Sequence, residues 1–144
     1  MIEEVYNKAI LRLAADIPKL GRLATPQATA TAVSKLCGSK VTVDVALDNS
    51  GHVADFAHEV KACALGQASS SIMAQHVIGS DLAELKSLLS TMQAMLKENG
   101  PPPQGKWAEL EVLTPVRDFK ARHASTLLTF EATVEAVEKA LGRD

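Results

Sequence analysis

Val41-Thr42-Val43-Asp44-Val45-Ala46-Leu47-Asp48-Asn49-Ser50-Gly51-His52-Val53-Ala54-Asp55-Phe56-Ala57-His58-Glu59-Val60 is the stretch from which the rest of the chain can be read. Val41, Val43, Val45 and Leu47 alternate with Thr42, Asp44 and Ala46, the period of a strand with one buried face. Asp48 to Gly51 are residues that tolerate positive φ and bond their own backbone, and Val53 to Val60 is again β-rich. The two runs therefore predict an antiparallel hairpin. Thr29 to Ser34 reads as a further strand, giving a sheet of three antiparallel strands.

Helical spacing surrounds this sheet. Ile2, Val5, Ala9 and Leu13, with Tyr6 and Ile10 alongside, predict a short amphipathic helix that stops at Asp16-Ile17-Pro18, since proline disfavours helix in the residue before it. After Cys63 come Ala64, Gly66, Ala68, Ser69, Ser70 and Ser71, small residues that permit close helix packing, followed by Ile72, Met73, Val77 and Ile78. Asp81 with Glu84 has the pattern of a capping box. From there Leu82, Leu85, Leu88, Leu89, Met92 and Leu96 keep a helical stripe until Asn99-Gly100 and the prolines 101–103 end it. Trp107, Leu110 and Leu113 predict a short helix before Pro115. Leu127, Phe130, Val134, Val137 and Leu141 predict a terminal helix with one apolar face. The class is α+β, a three-stranded antiparallel sheet packed against about five helices, in one domain over residues 1–144.

The chain's 144 residues are 47% apolar and 22% charged, with a formal net charge of −2. A domain of this length buries roughly 68–70% of its unfolded surface, enough to fold without metal or disulfide staples. No Lys/Arg run favours nucleic acid, and no apolar stretch approaches the ~18 residues of a membrane span. The acidic start Met1-Ile2-Glu3-Glu4 has neither signal- nor transit-peptide character, so the expected location is the cytoplasm, where Cys37 and Cys63 stay thiols.

Those two cysteines are the candidates for chemistry. Cys37 precedes the second strand and Cys63 follows the third. In an antiparallel hairpin one strand begins where its neighbour finishes, so both thiols belong at one end of the sheet. Cys63 also opens a helix, whose N-terminus supplies positive potential together with Lys61. A thiol so placed suits a metal or a transferred sulfur, but cysteine is also among the most buried residue types and often only fills a core. His52, His58 and His76 join no His/Cys/carboxylate cluster, and Asp55, Glu59, Glu109 and Glu111 read as solvated faces. Nothing has the form of a phosphate-binding loop, and Ser69-Ser70-Ser71 lacks a nucleophile elbow.

Cys37-Gly38-Ser39, the hairpin, and Ala62-Cys63-Ala64-Leu65-Gly66-Gln67-Ala68-Ser69-Ser70-Ser71 resemble the IscU/NifU N-terminal scaffold proteins of iron–sulfur cluster assembly, whose helix start reads Gly-Cys-x-x-Ser-x-Ala-Ser-x-Ser. Phe119-Lys120-Ala121-Arg122 and Ser125-Thr126-Leu127-Leu128-Thr129-Phe130-Glu131-Ala132 are similar to the segment carrying that family's third cysteine, and the loop from Gly100 to Gly105 resembles the insertion of the SufU branch. The resemblance implies a scaffold and sulfur acceptor rather than a catalyst, with a cysteine desulfurase and a chaperone or recipient apoprotein as partners, as a monomer or weak dimer. It implies iron or a transient [2Fe–2S] cluster at Cys37 and Cys63. Three ligand positions depart from the pattern: Ser39 stands for an aspartate, Ser125 for the third cysteine and Ala124 for the preceding histidine. Serine offers no soft thiolate, so the remaining donors are Ser39, Ser125, His123 as a nitrogen ligand, a second chain or an exogenous thiol. Two other readings stand beside this one, a paralogue that keeps the fold as an interaction module and a zinc-dependent sulfur-transfer protein. Arg117, Lys120 and Arg122 would face an acidic partner surface.

Overall fold

The computed structural model describes residues 6–36 and 38–142. Ile2 and Val5 of the first predicted helix, and Cys37, lie outside the described residues. Strands β1 (Ala28–Ser34), β2 (Ser39–Leu47) and β3 (Val53–Lys61) form one antiparallel sheet in the order β1-β2-β3. The hairpin turns where Asp48 Oδ1 accepts from the N–H groups of Ser50 and His52 at 2.9 and 3.0 Å, with Gly51 at φ +84°.

Register explains which face is covered. Val41, Val43 and Val45 pair with Ala32, Ala30 and Ala28 on one side and with Val60, His58 and Phe56 on the other. All three valines are fully buried, and burying each contributes about 1.5–3 kcal/mol. The alanine row on β1 is low enough for helix α4 (His123–Ala140) to lie across β1 and β2. Helices α2 (Ala64–His76) and α3 (Leu82–Lys97) pack on α4, and α1 (Lys8–Ala15) packs on α2. The small residues of α2 permit this crowding, with Gly66, Ala68, Ser69, Ser70 and Ser71 all buried.

Several predicted elements need correcting in detail. Helix α1 is capped by Asn7, whose Oδ1 accepts from Ile10 N–H at 3.0 Å. The capping box at Asp81 is half made: Asp81 Oδ1 accepts from Glu84 N–H at 2.9 Å. The Glu84 carboxylate turns elsewhere, accepting from Trp107 Nε1 at 2.8 Å, Lys106 Nζ at 2.9 Å and Ser80 Oγ at 3.1 Å. Those bonds anchor a 3-10 segment, Gly105–Asp118, that runs through Pro115 instead of ending before it. Trp107, Leu110, Leu113 and Val116 are its buried side chains, and their strict three-residue spacing is the period of a 3-10 turn rather than an α-helix. Helix α4 begins four residues earlier than Leu127 and has one exposed stripe, Ala124, Glu131, Glu135 and Lys139, rather than one apolar face. Its buried Thr126 and Thr133 donate to the carbonyls of Arg122 and Thr129 at 2.8 and 2.7 Å, which lets hydroxyl residues enter the core.

Segment 18–23 locks the far face and the edge of the sheet. Gly21 N–H donates to His58 O at 2.8 Å and His58 N–H to Lys19 O at 3.1 Å, closing the β3 edge. Asp44, fully buried, accepts from Arg22 Nε at 2.7 Å, Arg22 Nη2 at 3.1 Å, Leu23 N–H at 3.0 Å and Thr29 Oγ1 at 2.6 Å. Burial alone would push the Asp44 carboxyl up, but these donors outweigh it and hold it below the usual carboxylate range. Burial pushes the His58 ring down, against the raising effect of its 2.9 Å contact with Pro18 O.

Both shifts carry the same sign. Each folded group binds protons more weakly than the unfolded chain does, so stability is fullest above the ordinary values and falls as acid is added. We predict that the urea midpoint declines first below about pH 6.5 and again below about pH 4, where free histidine and aspartate titrate. Asp44→Asn should cost about 2–3 kcal/mol near neutrality and flatten the lower step. An acid limb identical in wild type and Asp44→Asn would contradict this.

Candidate functional site

Strand β2 starts and strand β3 ends at one edge of the fold, Lys40 pairing with Lys61. Two residues beyond Lys61, Cys63 takes the N-cap position of α2 in extended conformation (φ −69°, ψ 173°). Its side chain makes no capping bond to the helix backbone. It points to α4: Cys63 Sγ is 3.1 Å from Ser125 Oγ, and Ser125 Oγ is 3.4 Å from Ser39 Oγ. Both serines are buried and Cys63 is half-buried. Ser39, at the family's aspartate position, and Ser125, at its third-cysteine position, thus form a chain of contacts that ends on the sulfur.

A cleft of about 350 Å³ opens over this line, bounded by Gly38, Ser39, Lys61, Ala62, Cys63 and Arg122. Gly38, next in sequence to Cys37, adopts φ +70° and donates its N–H to Ser34 O at 2.9 Å. The β1–β2 turn that carries Cys37 therefore ends inside the Cys63 cleft, although Cys37 itself lies outside the described residues. Lys61 and Arg122 bring two cations to the cleft and no carboxylate lines it among the described residues, an environment suited to an anionic sulfur or a negatively charged cargo.

His123 is held elsewhere. Its Nε2 faces Val116 O at 2.9 Å and Arg117 O at 3.2 Å. The ring lines a separate cavity of about 720 Å³, which Arg117, Lys120 and Ala124 share and which has no lining residue in common with the cleft. Of the three cations expected near the site, Arg122 alone reaches the cleft. His58 is in the core against Phe56, His52 lies 3.8 Å from Asp48, and His76 lies 3.6 Å from Glu109. Among the described residues no three His, Cys, Asp or Glu side chains gather to hold a metal ion.

Gly66 was legible only as a small residue in a small-residue helix, yet it sets the site's geometry. A Cβ built there would stand 2.7 Å from Ala62 Cβ, 3.0 Å from Ser125 Oγ and 3.1 Å from Ser125 O. Position 66 holds serine in the motif this stretch resembles, and position 62 holds glycine. The chain exchanges the two sizes, and the Ala62 methyl crowds the space that a side chain at 66 would need. The paired departure was the available signal in the sequence.

Comparison with known proteins agrees with this geometry. A family model described as the NifU-like N terminal domain matches residues 5–126. The chain is similar to the iron–sulfur cluster assembly scaffold protein IscU of Thermotoga maritima, 26% identical over 136 residues and covering 94% of each chain. Its fold superposes on the crystal structure of a nitrogen-fixing NifU-like protein (N-terminal) from Brucella abortus with a TM-score of 0.95 and 53% identity over 99% of both chains. A candidate SUF-system scaffold from Fervidobacterium islandicum AW-1 shares the fold, with a TM-score of 0.85 at 18% identity over 94% of this chain and 98% of that one. With the sheet, the Cys63 helix start and the matched segment in agreement, the chain belongs to the NifU-like N-terminal domain family, the IscU/NifU group of iron–sulfur cluster assembly scaffolds.

Proposed function

We propose that this chain accepts sulfur from a cysteine desulfurase at Cys63 and Cys37 and transiently holds iron or a [2Fe–2S] cluster there as cargo, for transfer to a recipient apoprotein. The observation that carries this reading is the half-buried Cys63 sulfur at the mouth of a cationic cleft that also receives the end of the Cys37 turn. Sulfur acceptance is a thiol exchange. The Cys63 thiolate attacks the outer sulfur of the donor persulfide, a new S–S bond forms at Cys63, and the donor's S–S bond breaks as its cysteine leaves as a thiolate. Lys61 and Arg122 favour the anion that results.

The donor set makes cargo release easy. Clusters take thiolate or imidazole ligands, and the described residues offer one thiol and one hydroxyl, Cys63 and Ser39, lining the cleft, with the Ser125 hydroxyl buried behind the sulfur. With Cys37 the chain would supply two thiolates, so the remaining positions on a cluster fall to a second chain or an exogenous thiol. Zinc normally takes three or four thiolate, imidazole or carboxylate donors, which leaves the zinc-dependent reading without its ligands among the described residues.

After anaerobic reconstitution, we expect iron and acid-labile sulfide in matching amounts on the wild-type chain, lost in both Cys37→Ser and Cys63→Ser and rapidly removed by a chelator. Wild-type protein that binds neither would leave an interaction module that shares the family's fold. The close approach at Gly66 yields a second expectation. Gly66→Ala forces α2 away from α4, costing about 1–3 kcal/mol by overpacking and lowering sulfide retention further than its stability loss explains. Sulfide retention equal to wild type in a folded Gly66→Ala protein would contradict it.

A further inference from the structure

We infer that Ser125 is a positioning residue for sulfur uptake: its hydroxyl, backed by Ser39, holds the Cys63 sulfur toward the cleft and away from the helix backbone. This rests on the reading of Cys63 as a sulfur acceptor and adds a residue to it.

Three observations support the assignment. Cys63 stands at the N-cap of α2 and its side chain makes no bond to the helix N–H groups. The contact it does make is with Ser125 Oγ at 3.1 Å, and Ser125 is buried with its own oxygen 3.4 Å from Ser39 Oγ. The room for that line exists because Gly66 has no side chain, a Cβ there falling 3.0 Å from Ser125 Oγ. A thiolate has no proton to give, so in the reacting state the Ser125 hydroxyl donates to sulfur. The Ser39 hydroxyl is then the group within reach to donate to Ser125, and a chain of two donors polarises the bond to sulfur. Sulfur uptake needs this direction because the nucleophile must meet the donor's outer sulfur in line with the S–S bond that breaks. The donor leaves as a thiolate, Cys63 becomes a persulfide, and no outside oxidant or reductant enters. Lys61 and Arg122 are the charged side chains that line the cleft with Cys63 among the described residues.

The test uses the full chain with glutathione persulfide as donor. Persulfide on the Cys63 peptide is followed by mass spectrometry, and alkylation of the same thiol by iodoacetamide is followed in parallel. Ser125→Ala should slow both reactions about tenfold, the effect of losing one hydrogen bond to a charged atom, without a matching fall in melting temperature. Ser39→Ala should give a smaller loss, and the double variant should be no slower than Ser125→Ala alone, because the two hydroxyls act as one chain. Ser125→Thr, which keeps the hydroxyl, should return most of the rate. A folded Ser125→Ala protein reacting at the wild-type rate, or additive losses in the double variant, would overturn the role of Ser125. A wild-type chain whose Cys63 is alkylated in a Ser125-dependent way but takes up no sulfur would overturn the sulfur-acceptor reading instead.

Discussion

The contact between the first turn of α2 and the first turn of α4 is the constraint on which the site depends. At Gly66 the helices come so close that even a methyl group would meet Ser125 backbone and side chain at 3.0–3.1 Å. Close packing of this kind cannot be relaxed locally, because protein interiors are as dense as organic crystals. The other small residues of α2, Ala68, Ser69, Ser70, Ser71 and Ala74, are buried in the core as well. The consequence is chemical as well as structural: Cys63 and Ser125, 62 residues apart in the chain, meet at hydrogen-bond distance.

The sheet supplies the other half of the site by topology. A three-stranded antiparallel order places the β1–β2 turn and the end of β3 at one edge. Asp44 fixes that sheet from its outer face, gathering Arg22, Leu23 and Thr29 around a carboxylate with no solvent exposure. Breaking such a group from its partners is costly even where the net worth of the pair is modest. The segment that carries Arg22 also seals the β3 edge, so one stretch of chain protects both the buried charge and the exposed ladder. The Cys63 cleft thus opens at the end of a sheet whose far face and outer edge are both held.

Much of this was readable from residue order. The alternation of Val41, Val43 and Val45 with polar residues, and the turn at Asp48 to Gly51, place both hairpin strands to within about two residues, since burial on one face admits only one register. The adjacency of the Cys37 turn to Cys63 follows from that hairpin alone. What the sequence hid was of two kinds. Spacing was visible without fixing the helix type or its length: Trp107, Leu110, Leu113 and Val116 repeat every third residue, the period of a 3-10 segment that continues through Pro115. Other features depend on three-dimensional approach, which no local pattern encodes. The anchoring of His123 on the carbonyls of Val116 and Arg117, the diversion of Glu84 to Trp107 and Lys106, and the approach of Gly66 to Ser125 all arise between elements distant in the chain or turned by a tertiary contact.

The central claim is that Cys37 and Cys63 form one two-thiol site. Dibromobimane tests it directly, since the reagent becomes fluorescent only when both its arms alkylate thiols, and a short bridge forms only between neighbouring sulfurs. The account predicts a fluorescent, monomeric adduct in native protein, with a single peptide pair linking Cys37 to Cys63 and no such product once the chain is unfolded in urea. Two separate, unbridged alkylations in the native state would show that the thiols do not share a cleft and would contradict the account.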